Sequence, residues 1–194
     1  MVQTPAKPLT LSEFLDLPET EPASEYIDGR IIQKPIPQGE HSAIQTELAP
    51  AINLVVKPKQ IARAFCELRC TFGVGVARRR HRSIVPDISV FMWDRIPRKD
   101  NGGVANVFSI APDWTIEILS PDQSQTKVTK NILHCLKYGT QMGWLIDPKE
   151  QSVFVYLPDK PTTFYEELGT QLPMPEFAKD FSLTVEGLFS WLLE

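Results

Sequence analysis

The 194-residue sequence lacks the marks of secreted, membrane-spanning and strongly basic proteins. No apolar run is long enough to cross a bilayer, and nothing resembles a signal peptide. The three cysteines are an odd number without a framework of pairs, which is typical of a reducing compartment. We therefore expect a cytoplasmic protein. The net charge of −4 excludes nucleic-acid binding by overall charge and leaves that role to a local basic patch.

Cysteine and histidine are also too sparse for a zinc site. Cys66 and Cys70 form a close pair, and no second Cys/His pair with ligand spacing accompanies them. Their even spacing in FCELRCTF predicts that both lie on one face of a single strand. We expect both to be small buried hydrophobic residues.

What is present predicts one globular domain. A hydrophobic share of 42% and a charged share of 23% are ordinary for a soluble fold, and the length allows a sizeable core. There is no internal repeat, low-complexity tract or interdomain linker. We expect residues 1–8 to form a flexible tail and residues 9–194 to form a single domain.

The residue pattern predicts an α+β, or mixed α/β, domain with a central sheet. Thr10 and Glu13 have the spacing of a helix capping box, and Asp28-Gly29 predicts a hairpin turn. Helical spacing covers residues 40–56, where Pro50 predicts a kink or two shorter helices. Further helices are expected in SQTKVTKNILHCLKYG and SLTVEGLFSWLL, and strands in IARAFCELRCTF, SIVPDISVFMW, DWTIEILS, GWLID, SVFVYLP and TTFYEEL.

Two acidic residues lie inside runs that otherwise predict buried strands, namely Asp87 in SIVPDISVF and Glu117 in DWTIEILS. Both faces of the second run are largely apolar, so an ionised carboxylate there costs several kcal/mol unless something compensates it. One divalent cation between the two acids would compensate both, and carboxylate oxygens suit magnesium, manganese or calcium. The alternative is that each acid pairs with an arginine or lies at a strand end facing water.

Several segments together resemble a large bacterial family of restriction-endonuclease-like proteins, the Uma-two type. The matching segments, in the family's order over roughly residues 9–156, are EYIDGRII, GEHSAIQTEL, VPDISV, EILSP and GWLIDP. The resemblance implies a restriction-endonuclease-like core of the PD-(D/E)xK superfamily, with a central mixed sheet flanked by helices. It also implies an endonuclease that uses Mg²⁺ or Mn²⁺.

The same resemblance assigns candidate site residues. It makes Asp87 and Glu117 metal ligands, with the carbonyl of Ile118 and the carboxylate of Glu25 as further ligands. His41 matches another polar position of the family, near the start of a helix. A catalytic role and a capping or packing role are both open for this histidine.

The superfamily's lysine is missing from its usual place two residues after the second acid. In the resembled family the lysine lies on the next helix, where a gap-free alignment places Asn131. Helical periodicity allows Asn131 to face the sheet, whereas Lys130 falls with His134 and Lys137 on the wetted side. Lys127, one turn earlier, has a stem that could lean towards the site, or it is a solvated surface lysine.

A dense basic run, RRRHR, leads into the strand that carries Asp87. It is either a solvated loop or a set of sequence-independent phosphate contacts, made by Arg78, Arg79, Arg80 and Arg82.

The sequence thus predicts a metal-dependent endonuclease that hydrolyses DNA, in which Asn131 or Lys127 assists the attacking water. The alternatives are a weak or inactive member that only binds nucleic acid or protein, and a structural protein without a site. By analogy with nucleases of this kind, a homodimer is also expected.

Overall fold

The computed structural model describes residues 9–73, 82–121 and 123–193, which form two sheets and four helices. The helices are α1 (Leu11–Leu15), α2 (Gly39–Val56), α3 (Gln125–Lys137) and α4 (Val185–Ser190). The strands are β1 (Ser24–Ile27), β2 (Arg30–Gln33), β3 (Ala62–Cys66), β4 (Cys70–Phe72), β5 (Arg82–Ile84), β6 (Ile88–Met92), β7 (Trp114–Ile118), β8 (Met142–Asp147), β9 (Ser152–Tyr156) and β10 (Thr163–Tyr165). The predicted tail, residues 1–8, lies outside the described residues.

The larger sheet has six strands in the order β10-β9-β8-β7-β6-β3. Its neighbours pair antiparallel except β7 and β8, which are parallel and are connected through α3. One face packs with α2 and α4 into the main core, and the other face meets α3. Both faces of β7 are therefore covered, and the prediction of a central mixed sheet flanked by helices is confirmed.

The smaller sheet has four strands in the order β2-β1-β5-β4. The predicted hairpin turn joins β1 and β2, and Asp28 (φ 51°) and Gly29 (φ 89°) both adopt the positive φ of a type I′ turn. Strand β1 also pairs with β5, with Tyr26 opposite Ser83. This pairing brings the hairpin beside the segment that leads to Asp87.

The run SIVPDISVFMW is not one strand, as was predicted, but two. It forms β5 in the smaller sheet and β6 in the larger sheet, with residues 85–87 between them. Pro86 has no N–H to donate to a ladder, which favours the break at this point. Asp87 therefore lies at the passage between two sheets and not in the middle of a strand.

Of the prediction for the two close cysteines, only the burial of Cys70 is confirmed, and the single shared strand is wrong. IARAFCELRCTF divides into β3 of the larger sheet and β4 of the smaller sheet, with Glu67 at a φ of 46° between them. Cys70 is buried, and burial raises the pKa of its thiol to about 12. Cys66, however, is exposed. Even spacing predicts a shared face only within a continuous strand, and the chain changes sheet here.

The helices follow their predictions with two differences. The capping box of Thr10 and Glu13 at α1 is confirmed. Helix α2 continues through Pro50 as one element. His134 of α3, predicted on the wetted side, is buried and stacks on Phe72 with ring centroids 5.1 Å apart. The reason is that β4 of the smaller sheet covers this side of α3. In the described part of the chain, no helix is both long and apolar enough to span a bilayer.

Candidate active site

Asp87 is the centre of a buried polar cluster at the passage between the two sheets. Its Oδ2 accepts the backbone N–H of Ile118 at 2.7 Å and lies 3.1 Å from Nε2 of His41, in the first turn of α2. Its Oδ1 accepts Nζ of Lys34 at 2.6 Å. Its backbone carbonyl accepts Nε2 of Gln45 at 2.8 Å. The carboxylate is thus fixed by partners from three separate segments of the chain.

Glu117 lies beside this cluster, on the face of β7 that meets α3. Its Oε2 is 4.0 Å from Nζ of Lys34, and its buried Oε1 has no hydrogen-bond partner among the described residues. Glu117 and Asp87 are 4% and 3% exposed. The two acids therefore both approach the ammonium of Lys34 and are almost fully buried, and the cation beside them is a lysine and not an arginine.

Glu25 adds a third buried carboxylate from β1. Its Oε1 accepts the backbone N–H of Val85 at 2.9 Å, because β1 pairs with β5 just before the passage to Asp87. Its Oε2 accepts Nδ2 of Asn131 at 3.1 Å. Oδ1 of Asn131 in turn accepts the guanidinium of Arg82 at 3.1 Å. Asn131 faces the sheet, as its place on the helix predicted.

The charges in this cluster do not balance. Burial alone would raise the pKa of Asp87, but the ammonium of Lys34 and the hydrogen bond from His41 outweigh it and hold this pKa well below its usual range. Burial raises the pKa of Glu117 well above its usual value and also raises that of Glu25, despite the attraction of Lys34. One ammonium is thus too little to keep three buried carboxyls in their charged form, and Glu117 and Glu25 hold a proton more readily than an ordinary glutamate.

Lys34 is the site residue that sequence reasoning missed. It follows β2 directly, and its Nζ also donates to the carbonyl of Val85 at 2.6 Å. Burial favours the neutral amine, but the carboxylates of Asp87 and Glu117 outweigh burial and raise the pKa of Lys34 above its usual value. Its sequence context, a lysine before a proline after a hairpin, carries no signal. Only the folding of the hairpin over β5 brings it to the acids.

A cavity of about 560 Å³ opens beside the cluster. Lys34, His41 and Asp87 lie on its wall, together with Ser120 and Gln123 from the segment after β7. The remaining wall is formed by residues 20–23, residues 35–37 and Glu67. The cluster is therefore buried but borders on a space that a ligand can enter.

The other predicted residues stand apart from this centre. Lys127 and Lys130 are exposed on α3. The guanidinium of Arg82 is bonded inside the protein, to Asn131, to the carbonyl of Lys130 at 3.0 Å and to Asp28 at 3.1 Å. The predicted phosphate contacts Arg78, Arg79 and Arg80 lie outside the described residues.

The oxygen donors of this cluster are of the chemical type that suits a hard divalent cation. Carboxylate oxygens from adjacent segments are the ligands that magnesium and manganese take, and Oε1 of Glu117 is a buried oxygen without a partner in the described chain. As they stand, however, the described His, Cys, Asp and Glu side chains form no group of three or more that could hold a metal ion. The ammonium of Lys34 is bonded to Oδ1 of Asp87, one of the carboxylate oxygens that would be available to such an ion.

Comparison with known proteins gives a consistent result. The model of the Uma2 family, described as "Putative restriction endonuclease", matches residues 11–186. A crystal structure from Anabaena variabilis ATCC 29413, of a putative nuclease belonging to DUF820, is 68% identical to this chain. The likeness covers 95% of this chain and 99% of that one, with a TM-score of 0.91. No curated protein matches the chain.

Proposed function

This chain belongs to the Uma2 family, and on that premise we propose that it is a metal-dependent endonuclease that hydrolyses phosphodiester bonds of DNA. The observation that carries the proposal is the convergence of Asp87 and Glu117 on one buried point at the wall of an open cavity. The family description and the nuclease-like neighbour supply the reaction class.

In this proposal Asp87 and Glu117 hold magnesium or manganese, with the carbonyl of Ile118 as a further ligand, and Glu25 supports them from β1. A bound divalent ion would supply charge neutralisation and a water of lowered pKa. The surplus of buried carboxylates supports this assignment, since a cation would remove the surplus. His41 and Ile118 act as positioning residues, because they hold Oδ2 of Asp87 from two sides.

The reaction proposed is hydrolysis. The oxygen of a water molecule bonds to phosphorus, one phosphorus–oxygen ester bond breaks, and the departing sugar oxygen takes up a proton. The water loses one proton to solvent or to a basic group. The products are a phosphomonoester and a free hydroxyl, and no electron transfer is involved.

DNA is the proposed partner, and the basic run is its proposed contact. Arg78, Arg79 and Arg80 would bind backbone phosphates without reading the sequence. Arg82 is less free for this purpose, because its guanidinium is bonded to Asn131 and Asp28.

A second candidate function has one specific observation in its favour. Lys34 already neutralises Asp87, so the same cluster could be a purely structural ion pair in a protein that binds nucleic acid without cutting it. Such a protein would retain the fold and the basic run and would have no use for a metal.

The test is cleavage of supercoiled plasmid and circular single-stranded DNA with Mg²⁺ and with Mn²⁺. We expect the full chain to nick at least one substrate and Asp87→Asn to lose the activity. Asp147→Asn, at the end of β8, is the matched control and should cleave normally. DNA binding without cleavage in either metal, by a folded protein, would establish the second candidate instead.

A further inference from the structure

Asn131 occupies the helix position at which the resembled family carries its lysine. Both ends of its side-chain amide are already used in hydrogen bonds. Asn131 donates to Glu25 at 3.1 Å and accepts from Arg82 at 3.1 Å. It is buried and carries no charge. A lysine that serves the proposed reaction therefore has to come from a segment other than α3.

Lys34 brings an ammonium to the centre from the opposite side of the cluster. Its Nζ lies 2.6 Å from Oδ1 of Asp87 and 4.0 Å from Oε2 of Glu117. Its side chain is 14% exposed, and it lines the cavity in which a substrate would lie. The lysines of α3, including Lys127 and Lys130, are exposed, so in the described part of the chain Lys34 is the lysine in salt-bridge contact with both site acids.

We propose that Lys34 is the catalytic lysine of this protein, supplied by the β1–β2 hairpin in place of the family's helix lysine. The inference rests on the proposed nuclease function. A fixed ammonium at this place stabilises the negative charge that builds up on the phosphate oxygens. It also orients the attacking water through the N–H that is not donated to Val85 or Asp87. A lysine can reach the same place from a different segment of the chain, because its charge is a compact point on a long flexible stem.

The arrangement also sets Lys34 in competition with a metal for Asp87. The ammonium and a divalent ion would repel each other, and both would bind the carboxylate of Asp87. Removing the ammonium should therefore tighten metal binding while it weakens catalysis. A lysine that merely props up the fold would do the opposite, because its loss would loosen the carboxylates and weaken metal binding.

The experiment compares four full-length proteins with the wild type: Lys34→Met, Lys34→Arg, Asn131→Lys and the double variant Lys34→Met/Asn131→Lys. Each is checked for folding by circular dichroism, for plasmid nicking with Mn²⁺, and for Mn²⁺ affinity by calorimetry. The double variant restores an ammonium at the family's helix position without restoring Lys34 itself. It therefore separates a need for charge from a need for this particular side chain.

We expect Lys34→Met to lose about 10²–10³-fold in nicking rate, which is the usual cost of removing one preorganised donor. Its Mn²⁺ affinity should rise, by about tenfold or more, because a competing charge is gone. Lys34→Arg should keep part of the activity, and the double variant should recover at least about tenfold over Lys34→Met. Asn131→Lys alone is the reference that shows what the second substitution does by itself.

The outcomes separate this inference from the function on which it rests. Wild-type cleavage with equal cleavage by Lys34→Met overturns the role of Lys34 and leaves the nuclease standing. Loss of activity that neither Lys34→Arg nor the folded double variant restores, together with weaker Mn²⁺ binding, shows a structural role only and also overturns it. Absence of cleavage by the wild type overturns the nuclease proposal, and the catalytic role of Lys34 falls with it.

Discussion

Nζ of Lys34 lies 2.6 Å from Oδ1 of Asp87, and the two residues are 53 positions apart in the chain. The pair connects the β1–β2 hairpin of the smaller sheet to the start of β6 in the larger one. It is thus both a link between the two sheets and the charge centre of the candidate active site. The first prediction concerns the contribution of this ion pair to the free energy of unfolding.

Lys34→Met should lower the free energy of unfolding in metal-free buffer by about 3–5 kcal/mol, the usual cost of breaking a buried ion pair from one side. Millimolar Mn²⁺ should restore part of this loss, because a cation again neutralises the acids. Lys59→Met is the control: its ion pair with Asp180 is 2.7 Å long but about half exposed, so its loss should cost much less than the loss of the buried pair. Equal losses in urea unfolding of the two variants would contradict the buried pair.

The basic run should determine how DNA affinity responds to salt. Replacing Arg78, Arg79 and Arg80 by glutamine should make the slope of log affinity against log salt shallower by about 3, at roughly 0.9 per lost phosphate contact. The control replaces Lys57, Lys59 and Lys179 by glutamine, which removes the same amount of charge. These lysines lie near the C-terminal end of α2, away from His41 at its N-terminal end, so the slope should not change. Fluorescence anisotropy between 50 and 200 mM salt, roughly the range over which such contacts weaken, measures both. The same slope in both variants would contradict the proposal that the basic run makes the phosphate contacts.

His134 should make the protein less stable as the pH falls. Burial, followed by the charges of Arg82 and Lys137, lowers the pKa of His134 to about 4 despite the opposing influence of Asp28. The unfolded chain binds this proton near the ordinary pKa of about 6.5, so between pH 6.5 and pH 4 the unfolded state holds more protons. Stability is therefore lost as the pH falls through that window, and no further loss comes from His134 below pH 4.

His134→Phe should remove this part of the pH dependence, an effect of about 3 kcal/mol between pH 7 and pH 4. Phenylalanine keeps the stacking on Phe72 and removes a ring nitrogen, Nε2, that is buried without a partner in the described residues. Tyr138→Phe, a change in the ring beside it, should retain the wild-type dependence. Unfolding in guanidinium at several pH values measures the free energy of unfolding of each variant. If His134→Phe keeps the wild-type dependence of that free energy on pH, groups other than His134 cause the dependence.

Gly143 should be essential for the close packing of α3 on the sheet. A Cβ at this position would lie 2.2 Å from Cγ2 of Ile132, which is fully buried. Gly143→Ala should therefore destabilise the protein by about 1–3 kcal/mol and disturb the neighbouring Asn131. Gly169→Ala is the control, since its Cβ would meet nothing within 4 Å. Thermal unfolding of the two variants measures the difference, and similar melting temperatures would contradict the tight contact.

The sequence by itself determined the local structure and the identity of the acids. The capping box of α1, the Asp28-Gly29 turn and the helical spacing of α2 and α3 depend on residues close in the chain, so they could be predicted from it. Asp87 and Glu117 could be singled out because a carboxylate in an apolar run is costly and needs a compensating partner.

Only the tertiary structure decided where the chain changes sheet and which cation meets the acids. The passages after Cys66 and at Pro86 depend on pairing with distant strands, which periodicity within a run does not record. The burial of His134 depends on the smaller sheet, and the place of Lys34 depends on a hairpin that pairs with β5 more than fifty residues later. Contacts of this kind depend on how whole helices and strands pack together. The place of Lys34 in the candidate active site could therefore be recognised only in the tertiary structure.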